Sequence, residues 1–303
     1  MTLTQPDGPR AMRMVAEDTT DAQVVEWWLA DKPSRHTRRS YRLDGETFLA
    51  WVGKPMRRMT WNDLRGYVTE LEGQGHKAGR RARAIHAVKS LFKFAFRLGY
   101  IQVNPAELLR APKVQQTVTQ RVLARDDVLE MIVRTEDARD KAVLTLLYAS
   151  KIRESELCGL CWGDLTAAPE RVERGIAGFI TVTGKGEKQR TIGLPAKTWG
   201  RVCALRPEGA GEAVPVFSGQ GGKAVHPSTV WHIVKRAAKR AAVPGWERVS
   251  PHWMRHSGAS HALDAGCPVH VVKQDLGHAN LSTTTVYVHA RPDQSSATYL
   301  AGV

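Results

Sequence analysis

Two helices fenced by proline and glycine most restrict how this chain can fold. Pro251 suits the first turn of a helix, Ser250 stands ahead of it as a cap, and Gly266 can close it in a left-handed turn. Pro268 opens a second, shorter helix and Gly277 stops it, which leaves His278 just past a helix end. Ser282, Thr283 and Thr284 open a third helical segment that carries Tyr287. On the first helix His252 and Arg255 lie three residues apart and share a face. Arginine grips phosphate oxygens in a fork, imidazoles donate or shuttle protons, and a phenol can attack phosphorus. These residue types together can build a phosphate site with a nucleophile. The rival reading is a zinc pair at His252 and His256. A metalloprotease helix carries Glu after its first His, however, and Trp253 stands there.

Two upstream segments add cations. Tyr148 to Leu157 supplies Arg153, and Thr183 to Arg190 supplies Lys185 in a hairpin turn flanked by Gly184 and Gly186. The ordered series Arg153, Lys185, His252-x-x-Arg255, His278 and Tyr287 resembles the tyrosine recombinase (phage integrase) family. The motifs span Ala124 to Tyr287; from Thr20 to Pro112 only the general layout is similar. The resemblance implies a mainly α chain with a small β-sheet or hairpin. A helical, SAM-like core-binding domain would precede an α+β catalytic domain, the two clamping DNA. One position departs from the pattern. The family commonly has Gly two residues before its first Arg, and here Lys151 stands there, where a positive φ would cost more than it costs Gly.

Composition agrees with a polyanionic partner. The 303 residues hold 44 Lys and Arg against 30 Asp and Glu, a net charge of +14, which favours nucleic acid first and an acidic membrane second. Up to Pro112 there are 19 basic and 12 acidic residues, and beyond it 25 and 18, so both halves are basic. No run approaches the ~18 apolar residues of a membrane span. The polar start from Met1 to Arg13 lacks the apolar core of a signal peptide. The expectation is a cytoplasmic, nucleoid-associated protein of bacterial, phage or mobile-element origin. Cys158 and Cys161 form C-x-x-C, but Cys203 and Cys267 make no second pair, so the four read as small core residues rather than a zinc site.

The expected domains are a disordered leader over residues 1–18, a helical core-DNA-binding domain over 19–110, a linker over 111–122 and a catalytic domain over 123–303. In the first domain, helices are expected from Thr20 to Asp31 with Val24, Trp27 and Trp28 inward, and from Ser34 to Val52. Others should run from the Thr60–Asp63 cap towards Gly73, and from Lys77 to Leu98. The last has Ile85, Val88, Phe92, Ala95 and Phe96 as its apolar stripe. Its remaining cations, Arg80, Arg81, Arg83, Lys89, Lys93 and Arg97, are candidate DNA contacts. Basic residues in a first turn oppose the helix dipole by ~0.3–1 kcal/mol each, and like charges at i, i+4 cost ~0.2–0.5 kcal/mol, penalties that phosphates would offset. In the second domain Asp140 to Tyr148 reads as a buried helix. Ile176–Thr183 and Arg190–Leu194 read as strands, Val214–Phe217 as an edge strand, and Ala167–Gly175 as an exposed loop. Lys235 and Lys239, on a helix from Pro227 to Val243, form a second candidate DNA face; a solvated surface explains this second face equally simply, and is the alternative reading of the first.

The resemblance assigns roles. Arg153 and Arg255 would hold the non-bridging oxygens, His278 would donate to them, and Tyr287 would attack phosphorus. A phenol with an ordinary pKa of ~10 needs a positive field or a base, for which His252 stands nearest by motif. Lys185 would protonate the leaving 5′-oxygen. Such a site needs no cofactor, neither metal nor ATP, because the covalent link conserves bond energy. Glu156 is expected to be structural, orienting Arg153 or a neighbouring helix. The implied activity is site-specific recombination of double-stranded DNA through a 3′-phosphotyrosine and a Holliday junction. A homo-tetramer would form the synaptic complex, with room for accessory DNA-bending proteins and no membrane partner. A type IB topoisomerase-like enzyme and a non-catalytic DNA-binding regulator are the alternatives. With no domain ahead of Thr20, a separate arm-binding module is not expected.

Overall fold

In the computed structural model, residues 15–32, 34–114, 121–184 and 187–277 are described. The chain divides into two compact units, Met1–Gln115 and Gln116–Val303. The leader before residue 15, the polar run 115–120, Lys185, His278, the segment of Tyr287 and the tail Ala290–Val303 lie outside the described residues.

The first unit is helical: α1 (Asp21–Ala30), α2 (Arg35–Val52), α3 (Trp61–Gly73) and α4 (Ala78–Arg97). Local capping sets the helix starts. The Thr20 hydroxyl accepts from the Gln23 main-chain N–H while Gln23 reaches back to Thr20, and Asp63 accepts from the Thr60 main-chain N–H at 2.9 Å. Trp28, Phe48, Leu64 and Phe92 are fully buried, with Phe48 edge-on to Tyr67 and Phe92 at 5.0 and 5.8 Å. Two expected core residues are not there. Trp27 is 44% exposed, because the buried stripe of α1 runs through Val24, Val25, Trp28 and Leu29, and Phe96 is 38% exposed, outside the stripe that ends at Phe92 and Ala95.

The second unit opens with α5 (Arg125–Val133), with Asp126 and Asp127 in the first turn where the dipole favours them. Next comes α6 (Ala138–Ser150), capped by Asp137 and apolar nearly all round, so it is buried in the centre of the core. The short helix α7 (Glu154–Cys158) precedes a three-stranded antiparallel sheet in the order β1 (Leu165–Ala167), β2 (Gly178–Thr183) and β3 (Gln189–Leu194). Ile180 pairs with Ile192 and Val182 with Arg190, so Arg190 shares the inward face of β3 with Ile192 and Leu194. The helices α8 (Ala196–Cys203), α9 (Pro227–Arg240), α10 (Pro251–Asp264) and α11 (Val269–Leu276) follow.

The sheet departs from expectation at both edges. Residues 214–217 form no strand; Pro215 makes one isolated bridge to Cys161, and Val214 and Val216 exchange single main-chain bonds with Trp162 and Leu160. The third strand is instead β1, and the exposed segment between β1 and β2 closes in a 3-10 turn over Pro169–Arg174. A short strand in partner-dependent register leaves little trace in its own residues. Ser250 makes no side-chain cap on α10, so Pro251 alone marks that helix start.

Candidate active site

The site forms where α6, α7, β3, α10 and α11 end or cross. Helix α6 stops at Lys151, which takes the left-handed conformation (φ 58°) and donates its N–H to the Leu147 carbonyl. The departure from glycine therefore leaves the turn as glycine would make it, with a lysine in place of the usual residue. The Lys151 ammonium is held within the protein, by the Asp275 carboxylate at 3.0 Å and the Ala149 carbonyl at 2.9 Å. Its main-chain carbonyl turns the other way and accepts from Arg255 Nη1.

Arg255 is 4% exposed; its Nη2 donates to the Leu276 carbonyl at 2.6 Å, so this one guanidinium joins the end of α6 to the end of α11. Helix α10 can bring it there because Gly258 lets the two helices touch. A Cβ on Gly258 would lie 2.2 Å from the Tyr148 carbonyl oxygen. The Tyr148 hydroxyl and His261 Nδ1, 2.9 Å apart, and the Leu123 N–H donating to Ser257 Oγ at 2.8 Å, tie α6 and the start of this unit to the same helix.

Arg153 is the N-cap of α7, two residues beyond Lys151. Glu156 accepts its main-chain N–H and its Nη1, both at 2.7 Å. Arg190 reaches the same carboxylate from β3, Nη1 to Oε1 at 2.9 Å and Nη2 to Oε2 at 2.8 Å, and its Nε donates to the Asp275 carbonyl at 2.8 Å. Burial alone would push the Glu156 carboxyl up, but the Arg190 hydrogen bonds, followed by the Arg153 N–H, hold it down to about 2. Glu156 is 3% exposed and Arg153 35%, so the acid is sealed in while one guanidinium faces outward.

His252 sits on the exposed side of α10, its ring stacked on that of His256 with centroids 6.4 Å apart. The protein packed against one side of the ring, then the charges of Arg255, Arg121 and Arg153, lower its pKa below the ordinary imidazole value. A lowered pKa favours the neutral form of the imidazole, which can accept a proton, the property a phenol nucleophile needs. Among the sequence candidates the described residues bring Arg153, His252 and Arg255 together. Arg190 and Arg121 join them without having been assigned a role. The alternation Arg190, Ile192, Leu194, a cation on the buried face of a strand, was the available signal for Arg190; nothing local marks Arg121.

The candidate DNA contacts divide by their partners. On α4, Arg81 pairs with Glu72 at 2.8 Å, Arg83 forks onto buried Asp44 at 2.8 and 3.1 Å, and Lys89 donates to the Leu109 and Glu107 carbonyls. The cost of crowding cations on this helix is thus partly offset within the protein. Arg80, Lys93 and Arg97 are exposed. On α9, Lys235 donates to the Trp246 and Glu247 carbonyls, and Lys239 lies over the Trp246 ring at 5.1 Å.

This geometry belongs with two family matches: the phage integrase family over residues 121–294 and the phage integrase N-terminal SAM-like domain over residues 26–99. The chain is 31% identical over 270 residues to a tyrosine recombinase XerC of Thermodesulfovibrio yellowstonii, covering 84% of this chain and 86% of the relative. It is 32% identical over 289 residues to a tyrosine recombinase XerD of Haemophilus influenzae, covering 90% and 94%. A lambda integrase tetramer bound to a Holliday junction has a similar fold, with a TM-score of 0.68 at 14% identity over 92% of this chain and 80% of that one. The chain belongs to the phage integrase family. Its enzyme class is tyrosine site-specific recombinase. Among the described residues, no helix is long and apolar enough to cross a membrane.

Proposed function

We propose that this chain cleaves and rejoins double-stranded DNA at specific sites through a covalent 3′-phosphotyrosine on Tyr287. The observation that carries the reading is the joint placement of Arg153, Arg255 and His252, whose pKa the protein packed against it and then their charges lower, with Glu156 clamping Arg153 from behind. Two guanidiniums can neutralise the non-bridging oxygens of a phosphodiester as charge redistributes in the transition state. His252 takes the phenolic proton as the Tyr287 oxygen bonds to phosphorus. The bond from phosphorus to the 5′-oxygen breaks, and Lys185 protonates that oxygen; His278 donates a further hydrogen bond to the phosphoryl group. Cations and imidazoles supply the charge neutralisation, and the phosphotyrosine keeps the bond energy for rejoining, so this sequence of steps uses neither metal nor ATP. Four copies would pair two duplexes and exchange strands through a Holliday junction, a reading supported by the likeness to a tetramer on such a junction. The exposed cations Arg80, Lys93 and Arg97 supply phosphate contacts on the first unit.

A pool of nicked duplexes of varied sequence tests this. Wild-type protein should trap covalent DNA adducts that share a recurrent sequence, and Tyr287→Phe should trap none. No adduct with wild type, or an undiminished one with Tyr287→Phe, would overturn the reading. Site-independent relaxation of supercoiled DNA would move it to topoisomerase-like chemistry.

A further inference from the structure

Arg190 lies outside the ordered motif series, yet every nitrogen of its guanidinium is bonded within the protein. It stands near the start of β3 on the inward face, with 10% of its side chain exposed. All three guanidinium nitrogens donate to protein acceptors on two other elements: the Glu156 carboxylate of α7 and the Asp275 carbonyl in the last turn of α11. A planar fork matched to a carboxylate fixes both distance and plane, which a lysine cannot do.

Glu156 is the hub of this arrangement. Its two oxygens accept four hydrogen bonds, two from Arg190 and two from Arg153. All four come from N–H donors, so a proton on the carboxyl would face donors on every side and displace one of them. Without Arg190, only the two Arg153 donors would oppose the burial that favours that proton. The contact with α11 is equally tight. Gly277 closes α11 at φ 62°, and a Cβ there would come within 3.2 Å of Arg190 Nε and Nη1. Arg255 grips the neighbouring Leu276 carbonyl, so the end of α11 is held by guanidiniums from β3 and α10 together.

We propose that Arg190 is a positioning residue for strand cleavage: it fixes the Glu156 carboxylate, and through it the Arg153 guanidinium, while anchoring the end of α11 against the same site. The inference rests on the recombinase reading above. Each nitrogen of the Arg190 guanidinium is bonded to a protein acceptor, so its fork is directed at Glu156 and Asp275, and the phosphate is left to Arg153.

The test measures covalent adduct formation by wild type, Arg190→Ala and Arg190→Lys on matched substrates carrying either a phosphodiester or an uncharged methylphosphonate at the cleavage position. Displacing a positioned group by an ångström costs on the order of 10²-fold, so Arg190→Ala should slow cleavage of the phosphodiester by about that factor. On the methylphosphonate, where the oxygen charge met by Arg153 is gone, the deficit should shrink at least tenfold. Arg190→Lys, with charge but no fork, should fall between. Cleavage by Arg190→Ala should also fall as pH drops through the range where a buried carboxyl takes up a proton, a fall additional to the His252 limb that it shares with wild type, in which Glu156 is held at about 2. Equal deficits on both substrates, or unchanged cleavage by Arg190→Ala, would overturn the inference alone. Absence of any wild-type adduct would overturn the recombinase reading and this inference with it.

Discussion

The outward cations of α4 and the guanidiniums around Glu156 are built on opposite plans. On α4, Arg80, Lys93 and Arg97 extend into solvent, and charge is spread along a helix. At the site, Arg255 is buried and the Arg190 side chain is only 10% exposed, and both are bonded to acceptors from distant parts of the chain. A long DNA backbone offers many equivalent phosphates, so a contact surface works with mobile, solvated side chains. One reacting phosphorus demands fixed charge, and fixing a guanidinium requires burying part of it and satisfying its donors. Arg153 stands between the plans, held at its inner edge by Glu156 and 35% exposed at its outer edge.

The sharpest challenge to this contrast comes from Arg153 and Arg255, the two guanidiniums proposed to hold the phosphate. Arg255→Ala strands the Lys151 and Leu276 carbonyls, each a buried acceptor whose loss of partner costs about 1–3 kcal/mol. It should abolish the adduct and lower the unfolding midpoint together. Arg153→Ala should abolish the adduct with a stability cost of about 1 kcal/mol or less, as for a partly exposed pair. Chemical denaturation alongside the trapping assay separates them; equal stability losses would erase the distinction between a buried and a presented guanidinium.

The next effect concerns salt. The double substitution Lys93→Gln and Arg97→Gln should reduce the slope of log affinity against log salt by about 0.9 for each phosphate that the variant no longer neutralises, with stability unchanged within about 0.5 kcal/mol. Lys89→Gln should change the slope less and stability more, because Lys89 is turned onto the Leu109 and Glu107 carbonyls. A Lys89 variant with the full slope change would show that these internal bonds open on DNA.

The smallest effect is a pH shift. His252 is held below the ordinary imidazole pKa of ~6.5, in part by Arg121. Cleavage should therefore persist to lower pH than an unperturbed imidazole permits. Arg121→Gln removes a positive neighbour, raises the His252 pKa and should move the acid limb of the cleavage profile towards higher pH by a fraction of a unit. An unmoved limb would detach either Arg121 or His252 from the proton transfer.

Much of the fold was legible because its signals are local. Thr20 with Gln23, Thr60 with Asp63, Pro251, Gly266 and Gly277 mark helix ends through interactions within a few residues. The period of Ile85, Val88, Phe92 and Ala95 marks a buried stripe within one helix. The errors arose where a partner far along the chain decides. Trp27 and Trp28 are equally apolar, and only packing on neighbouring helices chose Trp28, whose indole N–H reaches Ser90 Oγ at 3.0 Å. The third strand was decided by pairing, which brought Leu165 opposite Ile180 and left Val214–Phe217 outside the sheet.

By its residues alone the chain determined its helix boundaries, its excess of positive charge and the ordered set of side chains proposed to handle the phosphate, since each depends on spacing or composition. Only the tertiary structure decided that Lys151 is spent on Asp275, that Arg190 and Arg153 share Glu156, and that Arg255 bridges two helix ends. Those choices depend on which donors meet which acceptors across tens of residues. Such pairings are fixed when burial strips away water and every remaining polar group must find a partner.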